Sequence, residues 1–178
     1  MTALLLVALG SCAAGLPFPL EDGGFWIYRE AYSEQRGGLD SITEEETRFV
    51  VRRSPAHVFV VQKGGADPAG TVPVESGDGY LRLGPWTGDE ALPVPLQVGR
   101  SGPAEDGRSA WMVEAEEEVN VPAGVFTAFR CALRTWRTES LLWIATGVGV
   151  VKETIGAPGR RPEIERVLLS ASTLRAQR

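Results

Sequence analysis

Histidine and cysteine are nearly missing from this chain of 178 residues, which has one histidine (His57) and two cysteines (Cys12 and Cys131). That scarcity excludes an ordinary zinc site, which needs clustered His and Cys at ligand spacing. It also leaves His57 as the sole histidine base for a thiol nucleophile. The sequence has no Gly-x-Ser-x-Gly elbow. Basic charge is short as well: 18 Lys and Arg face 23 Asp and Glu, for a net charge of -5. Nucleic acid binding needs a concentrated cationic face, so no nucleic-acid partner is expected. Arg52-Arg53 and Arg160-Arg161 are isolated pairs and read as solvated edges or loops. No apolar run approaches the roughly 20 residues a membrane-spanning helix requires.

What the chain has in quantity is punctuation. Its 21 glycines and 12 prolines interrupt it too often for long helices. Between them lie short segments with period-two alternation and β-branched or aromatic content, the pattern of strands. Gly24–Glu30, Thr43–Arg53, His57–Lys63, Gly70–Glu75 and Gly79–Gly84 make the first half. Ser109–Val121, Val125–Arg137, Leu141–Ala145, Val148–Ile155 and Glu163–Ser172 make the second. Thr43–Arg53 and His57–Lys63 should form an antiparallel hairpin across their short connection. Ser41-Ile-Thr-Glu44 fits a capping box, which allows a helical turn before the second strand. Gly84–Pro95 and Ser101–Arg108 read as loops, the latter the more mobile.

Nine to ten short strands of this kind specify an antiparallel all-β domain. Because a broad apolar sheet face cannot stay in water, the sheet must curl or fold over itself. The expectation is a strongly curved sheet or incomplete barrel formed by residues 15–178 as a single domain. In Ser109–Val121, alternation places Trp111, Val113, Ala115, Val119 and Val121 on one face, with Glu117 as a carboxylate out of place among them. A buried acid must be paired, protonated or wet, and an arginine or lysine partner is the simplest resolution. In the next strand Val125, Phe129, Cys131 and Leu133 point inward, while Arg130 and Arg134 point outward. Cys131 therefore reads as a small buried hydrophobe.

The first fourteen residues differ in kind. Ala3-Leu-Leu-Leu-Val-Ala-Leu9 suits the apolar core of an export signal. Leu9-Gly-Ser-Cys12 resembles a bacterial lipobox, which implies cleavage before Cys12 and lipid attachment to it. The expected location is the cell envelope, with the protein held to a membrane through this N-terminal anchor.

Two further phrases carry a resemblance. Val119-Asn-Val-Pro-Ala-Gly-Val-Phe-Thr-Ala-Phe-Arg130 is followed one strand later by Trp143-Ile-Ala-Thr-Gly-Val-Gly-Val-Val-Lys-Glu153. Together they resemble the C-terminal signature of a bacterial extracytoplasmic family of all-β, often lipid-anchored proteins of unknown function, akin to lipoprotein-carrier half-barrels. The resemblance implies structural corners at Pro122, Gly124, Gly147 and Gly149, with Thr146 where the family commonly has proline. It brings no catalytic residues and no cofactor. Gly147-Val-Gly149 lacks the third glycine and the flanking strand and helix of a nucleotide loop, so a bend or bulge is expected there.

The acids Glu44–Glu46 and Glu114–Glu118 read as solvated faces, and Asp78 and Asp89 lack a spaced set of calcium ligands. No metal is expected. The aromatic residues Trp26, Tyr28, Trp111, Phe129 and Trp143 remain. They are core residues if the protein is a non-catalytic scaffold or interaction module that binds envelope proteins. They line a cavity if it carries a lipid or another apolar ligand.

Overall fold

The computed structural model describes residues 18, 20–36, 39–53, 58–63, 71–77, 80–83, 86, 92–103 and 110–175. Twelve strands follow in chain order: β1 (Phe25–Arg36), β2 (Leu39–Arg53), β3 (Val58–Lys63), β4 (Thr71–Gly77), β5 (Tyr80–Leu83) and β6 (Leu92–Pro93), then β7 (Ser101–Pro103), β8 (Ala110–Val121), β9 (Gly124–Arg134), β10 (Glu139–Ala145), β11 (Gly149–Gly156) and β12 (Ile164–Ala171). One helical turn, α1 (Ser172–Arg175), ends the described chain. All ladders are antiparallel, in the order β6-β5-β4-β3-β2-β1-β12-β11-β10-β9-β8-β7.

The chain thus makes two successive meanders, joined where the first strand pairs with the last. Each connection within a meander links neighbours, as short turns favour. No ladder joins β6 to β7 among the described residues, so the sheet is open. Alternation along the sequence specifies nine to ten strands. The additional ones are β6 and β7, two and three residues long, inside segments that read as loops. The expected hairpin of the second and third strands is present, with Arg53 opposite Val58. The helical turn at Ser41 is not: β2 is already strand there, with Ser41 opposite Glu34 and Ile42 opposite Ser33. Pairing with β1 satisfies the backbone groups that a capping box would have served.

A bulge reorganises β8. Val113 faces Cys131, but the next pair is Ala115 with Arg130, leaving Glu114 as the extra residue. One inserted residue reverses the side on which all later residues project. Trp111 and Val113 therefore share the face of Cys131, whereas Ala115, Glu117, Val119 and Val121 share the opposite face with Arg130. The single apolar face expected of Ser109–Val121 is corrected to two half-faces. Glu117 is not an intruder, because it lies on the charged side.

Both faces bury apolar groups where the sheet bends on itself. One face, here the aromatic face, packs Phe18, Trp26, Tyr28, Phe49, Trp86, Trp111, Leu142 and Ile144 into the core. The rings of Trp26, Tyr28, Phe49 and Phe18 all meet Trp86, with centroids 5.0–6.2 Å apart. On the opposite face Val119 and Val121 are buried at the β8–β9 tip, and β8 touches the non-adjacent strands β11 and β12.

The bend coincides with a split in the ladder. β11 and β12 pair from Ile155–Ile164 to Lys152–Val167 and no further. Beyond that point three carbonyls find other donors. Trp26 Nε1 donates to Val148 O at 2.6 Å and Tyr28 Oη to Val150 O at 2.7 Å. The Ala123 amide donates to Leu168 O at 3.0 Å. Two core aromatics and the Pro122 turn thus satisfy backbone groups that the strands leave open.

Candidate functional site

The largest departure from an apolar core lies on the aromatic face, near the middle of β1. Glu30 and Glu153 are both 1% exposed. The register brings them together: Glu30 on β1 faces Arg166 on β12, which in turn faces Glu153 on β11. Arg166 Nε donates to Glu30 Oε1 at 2.8 Å, and Arg166 Nη1 donates to Glu153 Oε2. The guanidinium also sits over the Phe49 ring, 5.4 Å from its centroid, in cation–π geometry. Tyr32 Oη lies 2.6 Å from Glu30 Oε2 and 2.9 Å from Glu45 Oε1, which extends the chain of polar groups to the exposed side of β2.

One arginine serving two buried carboxylates leaves a negative excess, and the acids respond unequally. Burial pushes the Glu153 carboxyl up to about 7, with the nearby Glu30 charge adding to the rise and Arg166 opposing it. Glu30 is also desolvated, but the Arg166, Tyr32 and Thr47 hydrogen bonds outweigh burial and hold it below the usual range. Glu153 therefore retains its proton up to near neutral pH, while Glu30 carries the charge paired with Arg166. Burial raises the Tyr28 phenol well above its ordinary value, Arg166 notwithstanding. Each polar group in the cluster is bonded to another, and the two acids are closed to solvent. What this arrangement does chemically is lock the β1–β12–β11 register and hold one proton. Its signal in the sequence was faint, since Glu30, Glu153 and Arg166 are ordinary members of strands 136 residues apart at the extremes.

The opposite face carries a second, wetter network. Glu117 accepts from Trp143 Nε1 at 2.6 Å and from Arg130 Nη1 at 3.5 Å. Arg130 and Arg134 share Glu114, at 3.1 and 2.6 Å, and Arg134 also holds Glu139 at 2.6 Å. Lys152 lies 5.3 Å from the Trp143 ring centroid and 2.8 Å from Glu165. The arginine partner anticipated for Glu117 is thus Arg130, on the outer rather than the inner side.

Of the five aromatic candidates, Trp26, Tyr28 and Trp111 are wholly buried and Phe129 is half-buried on the same face. Trp143 lies across the sheet among the charges, so the five do not surround one space. Two grooves among the described residues lie elsewhere. One of about 200 Å³ is lined by Arg29, Glu44, Asn120, Pro122, Lys152 and Glu165, among others. Cys131 is a free, buried thiol pushed up to about 12 by burial. Gly124, Gly147 and Gly149 all take positive φ (141°, 77° and 101°), a region in which side chains are strained. At Gly149 a Cβ would also lie 2.8 Å from Phe18 Cδ1, so glycine is required twice over. Cys12, His57, Asp78, Asp89 and the 1–14 segment lie outside the described residues. Among the described residues no group of three or more His, Cys, Asp or Glu could hold a metal ion.

No protein-family model matches this chain. No curated protein matches it either. Solved structures do. A candidate exported protein with a YmcC-like fold from Bacteroides fragilis aligns with a TM-score of 0.54 at 17% identity, covering 89% of this chain and 99% of the other. A candidate lipoprotein from Parabacteroides distasonis aligns over the same shares with a TM-score of 0.49 at 14% identity. The first likeness establishes a shared all-β fold.

Proposed function

We propose that this chain is a non-catalytic, exported lipoprotein of the cell envelope, anchored through Cys12, that serves as an interaction module. The observation that carries this reading is the filled aromatic face. Trp26 and Tyr28 are 0% exposed and Trp111 is 1% exposed, and the Trp26 and Tyr28 polar tips are used in backbone bonds. A carrier of apolar ligands needs those side chains around a space. The buried acids point the same way, since Glu30 and Glu153 are consumed by Arg166 and present no nucleophile or base to solvent. The proposed location rests on the apolar run ending at Leu9-Gly-Ser-Cys12 and accords with an exported neighbour of the same fold.

Native mass spectrometry of the chain purified after Cys12→Ala, with organic extraction, tests the module reading. The expected result is a bare protein mass. A stoichiometric apolar ligand would overturn it in favour of lipid or hydrophobic-ligand binding. Membrane fractionation tests the anchor: the parent chain is expected in the membrane fraction and the Cys12→Ala chain in the soluble one. Equal retention of both would end the lipoprotein claim.

A further inference from the structure

All strands being antiparallel, the molecule has two ends of different character. At one end Phe18 is wedged into the core, 4% exposed. It lies edge-on to Trp26 with centroids 6.4 Å apart and presses on Gly149, beside the Thr146–Val148 turn. Phe18 follows Cys12 by only six positions in the sequence, a reach of at most about 20 Å. On the lipoprotein reading, the Phe18 end is therefore the membrane-proximal one.

The other end gathers the β9–β10 turn, the β11–β12 loop and the start of β2. β11 alone, eight residues long, carries the chain about 25 Å from one end to the other. That exceeds the tether, so the far end cannot be turned head-on to the bilayer. Here Trp136 stands 72% exposed at a turn tip. The Arg137 guanidinium lies 3.9 Å from its ring centroid. Thr135 and Thr138 bond to one another and fix the turn (Oγ1–Oγ1 2.9 Å; Thr138 amide to Thr135 Oγ1 2.8 Å), so the indole is held out on a rigid base. Two connections away, Arg160, Arg161, Pro162 and Glu163 face Ser33, Glu34, Ser41 and Ile42 across a groove of about 470 Å³. Ile42 is also exposed. Tryptophan and arginine are the residue types that dominate binding energy at protein interfaces, and an aliphatic neighbour adds apolar area.

We infer that this end, led by Trp136 with Arg137 and Arg160, docks an acidic segment with apolar residues from a partner protein, away from the membrane. Local charge selects the partner: among the described side chains at this end Arg134, Arg137, Arg160 and Arg161 outnumber Glu34, Glu139 and Glu163, on a molecule with a net charge of -5. The inference deepens the interaction-module reading and rests on it.

The test uses the full chain with Cys12→Ala and a fluorescein-labelled (Glu-Leu)5 peptide, with (Lys-Leu)5 as its control, read by anisotropy. Binding of the acidic peptide is expected to weaken as salt rises. Trp136→Ala should weaken it by about tenfold and Arg160→Ala by a few-fold, with thermal melting unchanged because both side chains are exposed. No binding, equal binding of the lysine peptide, or affinities untouched by both variants would overturn the proposal. Trp136-dependent sedimentation with anionic phosphatidylglycerol vesicles would instead assign this end to lipid. Loss of membrane retention by the parent chain is a separate result that tells against the anchor alone.

Discussion

On the aromatic face Arg166 is shared by Glu30 and Glu153 with 12% of its own side chain exposed. On the opposite face Arg130 and Arg134 are shared among Glu114, Glu117 and Glu139 with 34% and 45% of theirs in water. The partner types are alike, but the surroundings are not. Inside, the cost of removing charge from water wins at Glu153 and loses to hydrogen bonds at Glu30, so one acid keeps its proton and the pair cannot be broken cheaply. Outside, solvent screens each pair, and long side chains lose rotamer freedom to hold it. Burial, and not the number of ion pairs, decides what such a network contributes.

The largest effect should come from Arg166→Ala, which strands two carboxylates in the core. About 3–5 kcal/mol of stability should be lost, measured by urea unfolding. A loss near that of a surface pair would erase the contrast between the faces. Trp111→Ala should cost about 3–5 kcal/mol as well through the cavity it leaves. A near-intact stability would mean Trp111 lines a space after all.

The pH response sharpens the comparison further. Glu153 titrates near 7 in the folded chain against about 4.5 ordinarily. Between those values the folded state holds a proton that the unfolded state has released. This carboxyl therefore adds stability as pH falls from about 7 towards 4.5, and removes it as pH rises through that window. Glu30, held low, acts in the other direction: its contribution is present above the ordinary carboxylate range and fades as pH falls through its depressed value. Urea midpoints across pH 5–8 should show the Glu153 slope, and Glu153→Gln should flatten it; an unchanged slope would locate the proton elsewhere. The smallest effect belongs to Lys152→Ala on the opposite face. Its exposed pair with Glu165 should be worth about 0–1 kcal/mol and weaken with salt.

Much of the fold was legible because strand chemistry is local. Alternation marks the long strands on either side of the β1–β12 junction, and the Pro122–Gly124 and Gly147–Gly149 turns follow from residues that tolerate unusual φ. The bulge at Glu114 was not legible: nothing in Val113-Glu-Ala115 announces which residue the partner strand will skip, and that skip moves Glu117 to the other side. The Glu30–Arg166–Glu153 cluster was hidden for a similar reason, since it exists only once the first strand pairs with the last.

By itself the sequence determined the all-β class, the scarcity of reactive groups, the buried thiol at Cys131 and the export-like start, because each depends on composition or on neighbours along the chain. Tertiary structure alone decided which acids are buried and which are bathed, that Phe18 closes one end, and that Trp136 crowns the other. Those outcomes depend on register and sheet curvature, and both are set by contacts between residues far apart in sequence.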